Sequence, residues 1–324
     1  PEAALADPVA NLSGDDFRYF EIDTFRDATI AGDPELSAQK EKAIALLYAM
    51  QTGRRPASEV FDIDQYGRFL ALVDLWGATE GTSLVNLKYY YNAVSDKLEP
   101  VSFDANALGS PNRLSLAATY DDPRLQAVYV QHAIRMSQPE YLEQVRSDLE
   151  AEWQCLQEAL GAELTAPQPP WDALRARQEL IHRSLNPIRP IFAYLETTAS
   201  PPYASLRIDV GNVINLPVQI VGFDINGATF LETEPSWITG SSSELVEQQG
   251  KGIILRAFDA ARSSVVRYVQ FDIPLTTIHA LDEEIDFNHE LDIQIAARIP
   301  GSPNTRLVAV RTGLPEPLPV GDTE

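Results

Sequence analysis

The chain is 324 residues long, 44% hydrophobic, with a formal net charge of −22. That length and apolar share suffice for two ordinary domains with sizeable cores, and they exclude a chain disordered by composition. The acidity is spread: residues 201–324 hold 8 Lys+Arg against 17 Asp+Glu, a net of −9, and the remaining −13 lies in residues 1–200. Long-range Coulomb repulsion then disfavours nucleic acid and anionic lipid, and suits a cation or a basic partner. The single cysteine, Cys155, excludes an intrachain disulfide and a cysteine-based zinc site, and is expected as a small apolar filler on a helix. No run approaches the roughly 18–20 apolar residues of a membrane span. The chain starts at Pro1 with neither an initiator Met nor a signal peptide. A fragment lacking an N-terminal segment is therefore expected, and any export signal or anchor would go with that segment. Localisation stays open, with the bacterial envelope as the expectation.

Residues 1–35 are polar and Asp-rich, and the alternation in FRYFEIDTF (17–25) fits one strand. Asp33-Pro34-Glu35 supplies a cap and a first-turn proline for a helix that Gly53 stops. Asp64 is expected to cap the next helix, 65–76, which contains the apolar run Phe69 to Trp76. Gly77–Ser83 breaks it as a polar loop. Lys88–Tyr91 then reads as a strand, Asn92–Asp96 as a turn and Leu98–Phe103 as a second strand, with Asp104 and Asn106 directly after it. Tyr89-Tyr90-Tyr91 must alternate faces, so at least one ring is expected in the core.

Residues 110–200 read as mostly helical. Tyr120-Asp121-Asp122-Pro123 starts one helix, and Ser137-Gln138-Pro139-Glu140 starts a second, which Gly161 ends. The second shows apolar residues at Leu142, Val145, Leu149, Trp153, Leu156 and Leu160, close to the 3.6-residue period. A third helix, Trp171–Leu185, follows the linker Thr165–Pro170 and ends at Asn186-Pro187. Past Ser200-Pro201-Pro202 the pattern changes to short alternating runs at 206–210, 218–222, 252–255, 265–269, 293–295 and 307–310, punctuated by Gly, Pro and Asn. The expected fold class is α+β: a mainly helical domain over 1–200, an antiparallel β-sandwich over 201–313, and a loose tail over 314–324.

A carboxylate at a strand end beside an Asn from the preceding loop is the layout that kinase-type sites use to hold Mg²⁺. The segments FLALVDLWG, NLKYYYN and KLEPVSFDAN, taken in that order, resemble the CotH-like (spore-coat protein H) family of atypical kinases. So do LLYAMQTGRRPASEVFDIDQYGRFLAL upstream and PPWDALRARQELIHRSLNPIRPIFAYL downstream. The likeness covers roughly residues 17–200 and implies that the helical domain is like a kinase C-lobe. It implies Mg²⁺ and ATP as cofactors and phosphoryl transfer to a protein hydroxyl. Asp104 matches the family's metal-binding Asp and Asn86 its loop Asn. Asn106 stands where a second acid is usual, and Glu80 occupies the base position, where the family pattern often has Asp. Lys88 could touch a phosphate. No Gly-rich phosphate loop, and no strand Lys with a partner Glu, appears before residue 60.

Each candidate also has a structural reading. Asp104 and Asn86 could be loop residues satisfying backbone groups, Glu80 a solvated loop acid, and Lys88 an outward-facing strand lysine. His132 and His182 lack a second ligand at metal spacing. The run Asp282–Glu290, with His289, could hold Ca²⁺ but lacks EF-hand spacing and reads as an exposed acidic turn. Ser241-Ser242-Ser243 has no nearby base. Two functions therefore stand: a CotH-like phosphotransferase fragment, or a non-catalytic relative whose β-sandwich makes protein or glycan contacts at the cell envelope.

Overall fold

The computed structural model describes residues 22–83, 86–109, 122–161, 169–196, 205–239, 246–249, 252–258, 265–280 and 291–313. The fold is α+β, in two compact units that divide between Leu185 and Asn186. The candidate strand at 17–25 lies outside the described residues up to position 21, and 22–24 have no regular structure. The Ser241–Ser243 triplet and the acidic run 282–290 also lie outside them.

The first unit contains helices α1 (Asp27–Ala31), α2 (Pro34–Gln51), α3 (Ala57–Val60) and α4 (Ile63–Trp76). A hairpin follows, β1 (Lys88–Asn92) and β2 (Lys97–Val101), then α5 (Pro123–Met136), α6 (Pro139–Gly161) and α7 (Trp171–Leu185). Helix α4 is the centre. It buries Tyr66, Gly67, Leu70, Ala71, Val73, Asp74 and Leu75 and packs against α5 and α7. Each fully buried Leu contributes about 1.5–3 kcal/mol. At Gly67 the two helices touch almost backbone to backbone: a Cβ there would lie 2.8 Å from Val128 Cγ1 and 2.9 Å from the Tyr129 nitrogen.

The cap of α4 is Asp62, whose carboxylate accepts from the Gln65 N–H at 3.1 Å, and not Asp64. Asp64 is instead 2.9 Å from His132 Nε2 on α5. The expectation erred because two Asp residues flank Ile63, and only the one before it lies in extended backbone, where a cap must sit.

Buried Asp122 caps two helices at once. One oxygen accepts from the N–H groups of Arg124 and Leu125 in α5, and the other from Ser58 N–H in α3 at 2.6 Å. Lys97, on β2, donates to the Ser58 and Glu59 carbonyls at the far end of α3. An anion at its start and a cation at its end suit the dipole of this one-turn helix. The hairpin is fixed to the helices by aromatic packing: Tyr89 lies 4.9 Å from Phe61 and edge-on to Tyr66, ring centre to centre. Of the tyrosine triplet, Tyr89 is half-buried against this cluster and Tyr90 is exposed. Cys155 is exposed and fills no core. It lies well round the helix from the Leu149–Leu156–Leu160 stripe, on the polar side of α6.

The second unit holds β3 (Ile191–Leu195), β4 (Ser205–Asn212), β5 (Val218–Ile225), β6 (Thr229–Glu232), β7 (Ile238–Thr239), β8 (Val246–Gln249), β9 (Gly252–Leu255), β10 (Tyr268–Pro274), a short α8 (Leu275–His279), β11 (Ile293–Arg298), β12 (Arg306–Ala309) and β13 (Arg311–Thr312). One sheet has the order β13-β3-β4-β10-β7; the other runs β12-β11-β5-β9-β8, with β6 also on β5. Strand pairs are antiparallel except β13 with β3. Alternate residues of both sheets, among them Ile208, Phe223, Ile253, Phe271 and Ile295, meet in one buried cluster. The boundary thus lies ahead of the expected 200/201. Ile191–Leu195 falls within the stretch expected to be mostly helical, yet its apolar run pairs residue for residue with β4. The strand expected at 265–269 begins at Tyr268 and runs on to Pro274.

Two residues shape the entry to β5 and its course. Buried Asn212 donates to the carbonyls of Leu216 and Arg256 at 2.7 and 2.8 Å and accepts from Ile214 N–H, which holds the β4–β5 connection. At Gly222 a Cβ would lie 2.4 Å from the Leu231 carbonyl oxygen. There β5 carries an extra residue, Val221, opposite the Ala296/Ala297 step of β11. No described helix is long and apolar enough to cross a membrane.

Candidate functional site

Helix α4 ends at Gly77, which is left-handed with φ 57°. The Gly77 N–H donates to the Asp74 carbonyl at 3.1 Å, and the Ala78 N–H to that of Val73 at 2.8 Å. This paired closure reverses the chain, and a left-handed Gly carries no Cβ penalty there. A 3₁₀ turn follows at Thr79–Thr82 and carries Glu80, which is exposed.

Gly81 presses the turn against the segment after β2: a Cβ would stand 3.4 Å from both Ala105 Cα and Cβ. The Leu108 N–H donates to the Trp76 carbonyl at 2.7 Å, so the same segment is tied to the end of α4. Asp104, Asn106 and Leu108 all have positive φ, at 46°, 32° and 65°. Asp and Asn tolerate that region better than other side chains, because their short polar groups bond locally. The hairpin register pairs Lys88 with Val101. The start of β1 and the exit of β2 therefore lie at the same end.

All five candidate residues consequently gather on one loop cluster. Asn86 donates its side-chain amide to the Glu80 backbone carbonyl at 3.1 Å. Lys88 Nζ lies 5.4 Å from the centre of the half-exposed Phe103 ring. Asp104 and Asn106 are exposed. The available donors are the Glu80 and Asp104 carboxylates and the amide oxygens of Asn86 and Asn106. These are hard oxygen donors, suited to Mg²⁺ or Ca²⁺ and not to a thiophilic metal. Among the described residues no group of three or more His, Cys, Asp or Glu side chains is placed to hold a metal ion.

Directly beneath lies a network that sequence reasoning missed. Asp74, fully buried on α4, accepts from the Tyr129 hydroxyl of α5 at 2.5 Å. Arg177 of α7 donates from Nε to the Asp74 backbone carbonyl at 2.7 Å, and again from its terminal nitrogen. A guanidinium thus joins the Gly77 N–H as a second donor to a carbonyl at the negative end of α4, close to the turn that carries Glu80. Burial, and then the Asp74 carboxylate, hold the Tyr129 phenol well above its ordinary range. Burial lowers Arg177, opposed by Asp74. One signal was legible: Asp74 is the only charged residue in Phe69–Trp76. A charge in an apolar stripe needs a partner.

His132 pairs with Asp64, and His182 is exposed on α7. No family model, no curated protein and no solved structure matches the chain.

Proposed function

We propose that the chain carries the metal-side half of a CotH-like atypical kinase site, serving ATP- and Mg²⁺-dependent phosphoryl transfer to a protein hydroxyl. In this reading the helical unit is C-lobe-like. Asn86, Asp104 and Asn106 are the metal residues, Lys88 faces nucleotide phosphate, and Glu80 stands in the base position. The observation that supports it best is the gathering of these five residues on one loop cluster at the end of α4. The donor set fits the group: Mg²⁺ commonly takes one or two protein carboxylates and completes its shell with phosphate oxygens and water. When bound, the ion would neutralise phosphate charge. The chain's own contribution would be to orient the phosphates and to offer Glu80 to the acceptor hydroxyl.

The test is calorimetric titration of ATP, with and without Mg²⁺, on this chain and on any longer form carrying residues upstream of Pro1, each beside an Asp104→Asn variant. Mg²⁺-dependent binding that needs Asp104 is the expected result. Absence of binding in every form would overturn the reading.

A second reading has its own observation. The Asn86 amide is committed to a backbone carbonyl, Lys88 rests on Phe103, and Asp104 and Asn106 occupy left-handed turn positions. These duties favour a non-catalytic relative in which the loop cluster is structural. The second unit is then read as an antiparallel β-sandwich for protein or glycan contacts at the cell envelope, supported by the core its two sheets share. Failure of nucleotide binding would select this reading.

A further inference from the structure

Helix α6 spans 23 residues, about 35 Å at 1.5 Å per residue. Its first turns are anchored. Leu142 is buried, Glu143 lies 3.8 Å from Arg175 of α7, and Gln178 donates to the carbonyls of Met136 and Gln138 just before it. From Arg146 to Leu160 every residue is exposed except Trp153 and Gln157, which are half-buried. Yet this outer stretch keeps its apolar stripe: Leu149, Leu156 and Leu160 are 46%, 52% and 39% exposed. With Trp153 they recur every three or four residues, so they form one straight ridge along about three helical turns. Among the described residues of the first unit nothing covers this ridge, and an uncovered amphipathic face marks an interaction surface.

The flanking charge decides the occupant. Residues 146–160 carry four carboxylates, Asp148, Glu150, Glu152 and Glu158, against the single guanidinium of Arg146. At 100° per residue, Glu152 and Asp148 border one side of the stripe, and Glu150 lies beyond Arg146 on the other. A second copy of α6 would bring these acids against their own likenesses. A strand would not match a ridge of 3.6-residue period, whereas a helix packs its ridges into the grooves of another. We infer that the outer half of α6 docks a basic amphipathic helix, with apolar residues on the Leu149–Leu156 ridge and Lys or Arg beside Asp148, Glu150 and Glu152. This site is separate from the loop cluster that ends α4.

The probe is a synthetic helix of about 18 residues with Leu at three- and four-residue spacing and Lys elsewhere, long enough to hold four turns. A Leu/Glu peptide of the same pattern is the control. Labelled peptide is titrated by fluorescence anisotropy against the intact chain and against Leu156→Asp, which alters an exposed position; circular dichroism checks the fold. The expected result is binding of the Leu/Lys peptide alone. It should weaken about tenfold or more in Leu156→Asp, and also as salt rises from about 0.05 M to about 0.5 M. Equal binding to Leu156→Asp, equal binding of the Leu/Glu peptide, or no binding would overturn the inference. So would sedimentation showing a dimer of the chain that Leu156→Asp dissolves, since the occupant would then be a second copy.

Discussion

Replacing Tyr129 with Phe removes one oxygen from the core and little volume. It should nevertheless destabilise the first unit, because the hydroxyl is a 2.5 Å donor to the fully buried Asp74 carboxylate. Hydrogen bonds to charged groups contribute about 1.5–3 kcal/mol, and removing one donor leaves the acceptor desolvated. For a unit of this size each kcal/mol corresponds to roughly 2–4 °C, so a fall of about 3–12 °C in Tm is expected. Urea melts at neutral pH should show a lower midpoint with unchanged slope, since the surface exposed on unfolding is the same. Tyr90→Phe, at an exposed ring, should move the midpoint by less than about 0.5 kcal/mol. Combining Tyr129→Phe with Asp74→Asn tests the pairing itself: the two losses should fall short of additivity by about 0.5–3 kcal/mol. A Tyr129→Phe midpoint equal to wild type, or full additivity, would refute the network as a source of stability. The pH dependence has a definite sign. A tyrosine whose folded pKa exceeds its unfolded value adds stability that is fully present below pH about 10 and is lost as pH rises through the folded value. Alkaline unfolding should therefore begin above pH about 10 and be blunted in Tyr129→Phe.

Gly67→Ala would gain about 1 kcal/mol on an exposed helix from propensity alone, but here the new Cβ meets the α5 backbone. A loss of about 1–3 kcal/mol is expected in urea melts, and a gain would refute the close approach. Asp122→Ala strips caps from α3 and α5 together and should cost more than the roughly 1 kcal/mol of an ordinary cap, measured the same way. In the second unit, burial and then the nearby Glu196 carboxylate raise Asp209, with Gln270 opposing. A carboxyl raised on folding opposes stability at neutral pH, and that penalty is relieved as pH falls through the raised value. Asp209→Asn should therefore leave Tm unchanged or higher at neutral pH, and a marked fall would contradict the assignment. Burial pushes Tyr268 up to about 12, so an ultraviolet titration of the folded chain should leave its phenol protonated at pH 10.

Much of the architecture was legible because its signals are local. Asp33-Pro34 and Asp122-Pro123 each set an N-cap before a first-turn proline, and both open helices as read. Trp171–Leu185 is bounded by prolines on either side and is a helix over that span. Ile191–Leu195 was harder, because five apolar residues just after a helix carry no period, and only pairing with β4 makes them a strand. The two-residue β7 and β13 have no sequence signal, since neighbouring strands create them. Cys155 illustrates the limit of composition: Cys is usually buried, but helix phase put this one on the solvent side. At the site, segment order was enough to choose five residues that share one loop cluster. Their local duties depend on positive φ values and on contacts across the chain, which no residue pattern encodes.

Those duties decide how the site must be tested. Asp104 is exposed and left-handed, with φ 46°. Ala in that conformation costs roughly 1–2 kcal/mol, whereas Asn is tolerated. Asp104→Ala would thus disturb the turn against Gly81 as well as remove the carboxylate, and lost binding could report either change. Asp104→Asn keeps the turn and removes only the charge. It should leave Tm within the change expected of a surface substitution, about 0.5 kcal/mol. If the carboxylate holds a metal, it should weaken Mg²⁺-dependent ATP binding tenfold or more, about 1.4 kcal/mol. The opposite pattern, with Asp104→Ala less stable and neither variant altered in nucleotide binding, would identify Asp104 as a turn residue. The cluster would then belong to the scaffold, and the function would have to be sought on the second unit or on the ridge of α6.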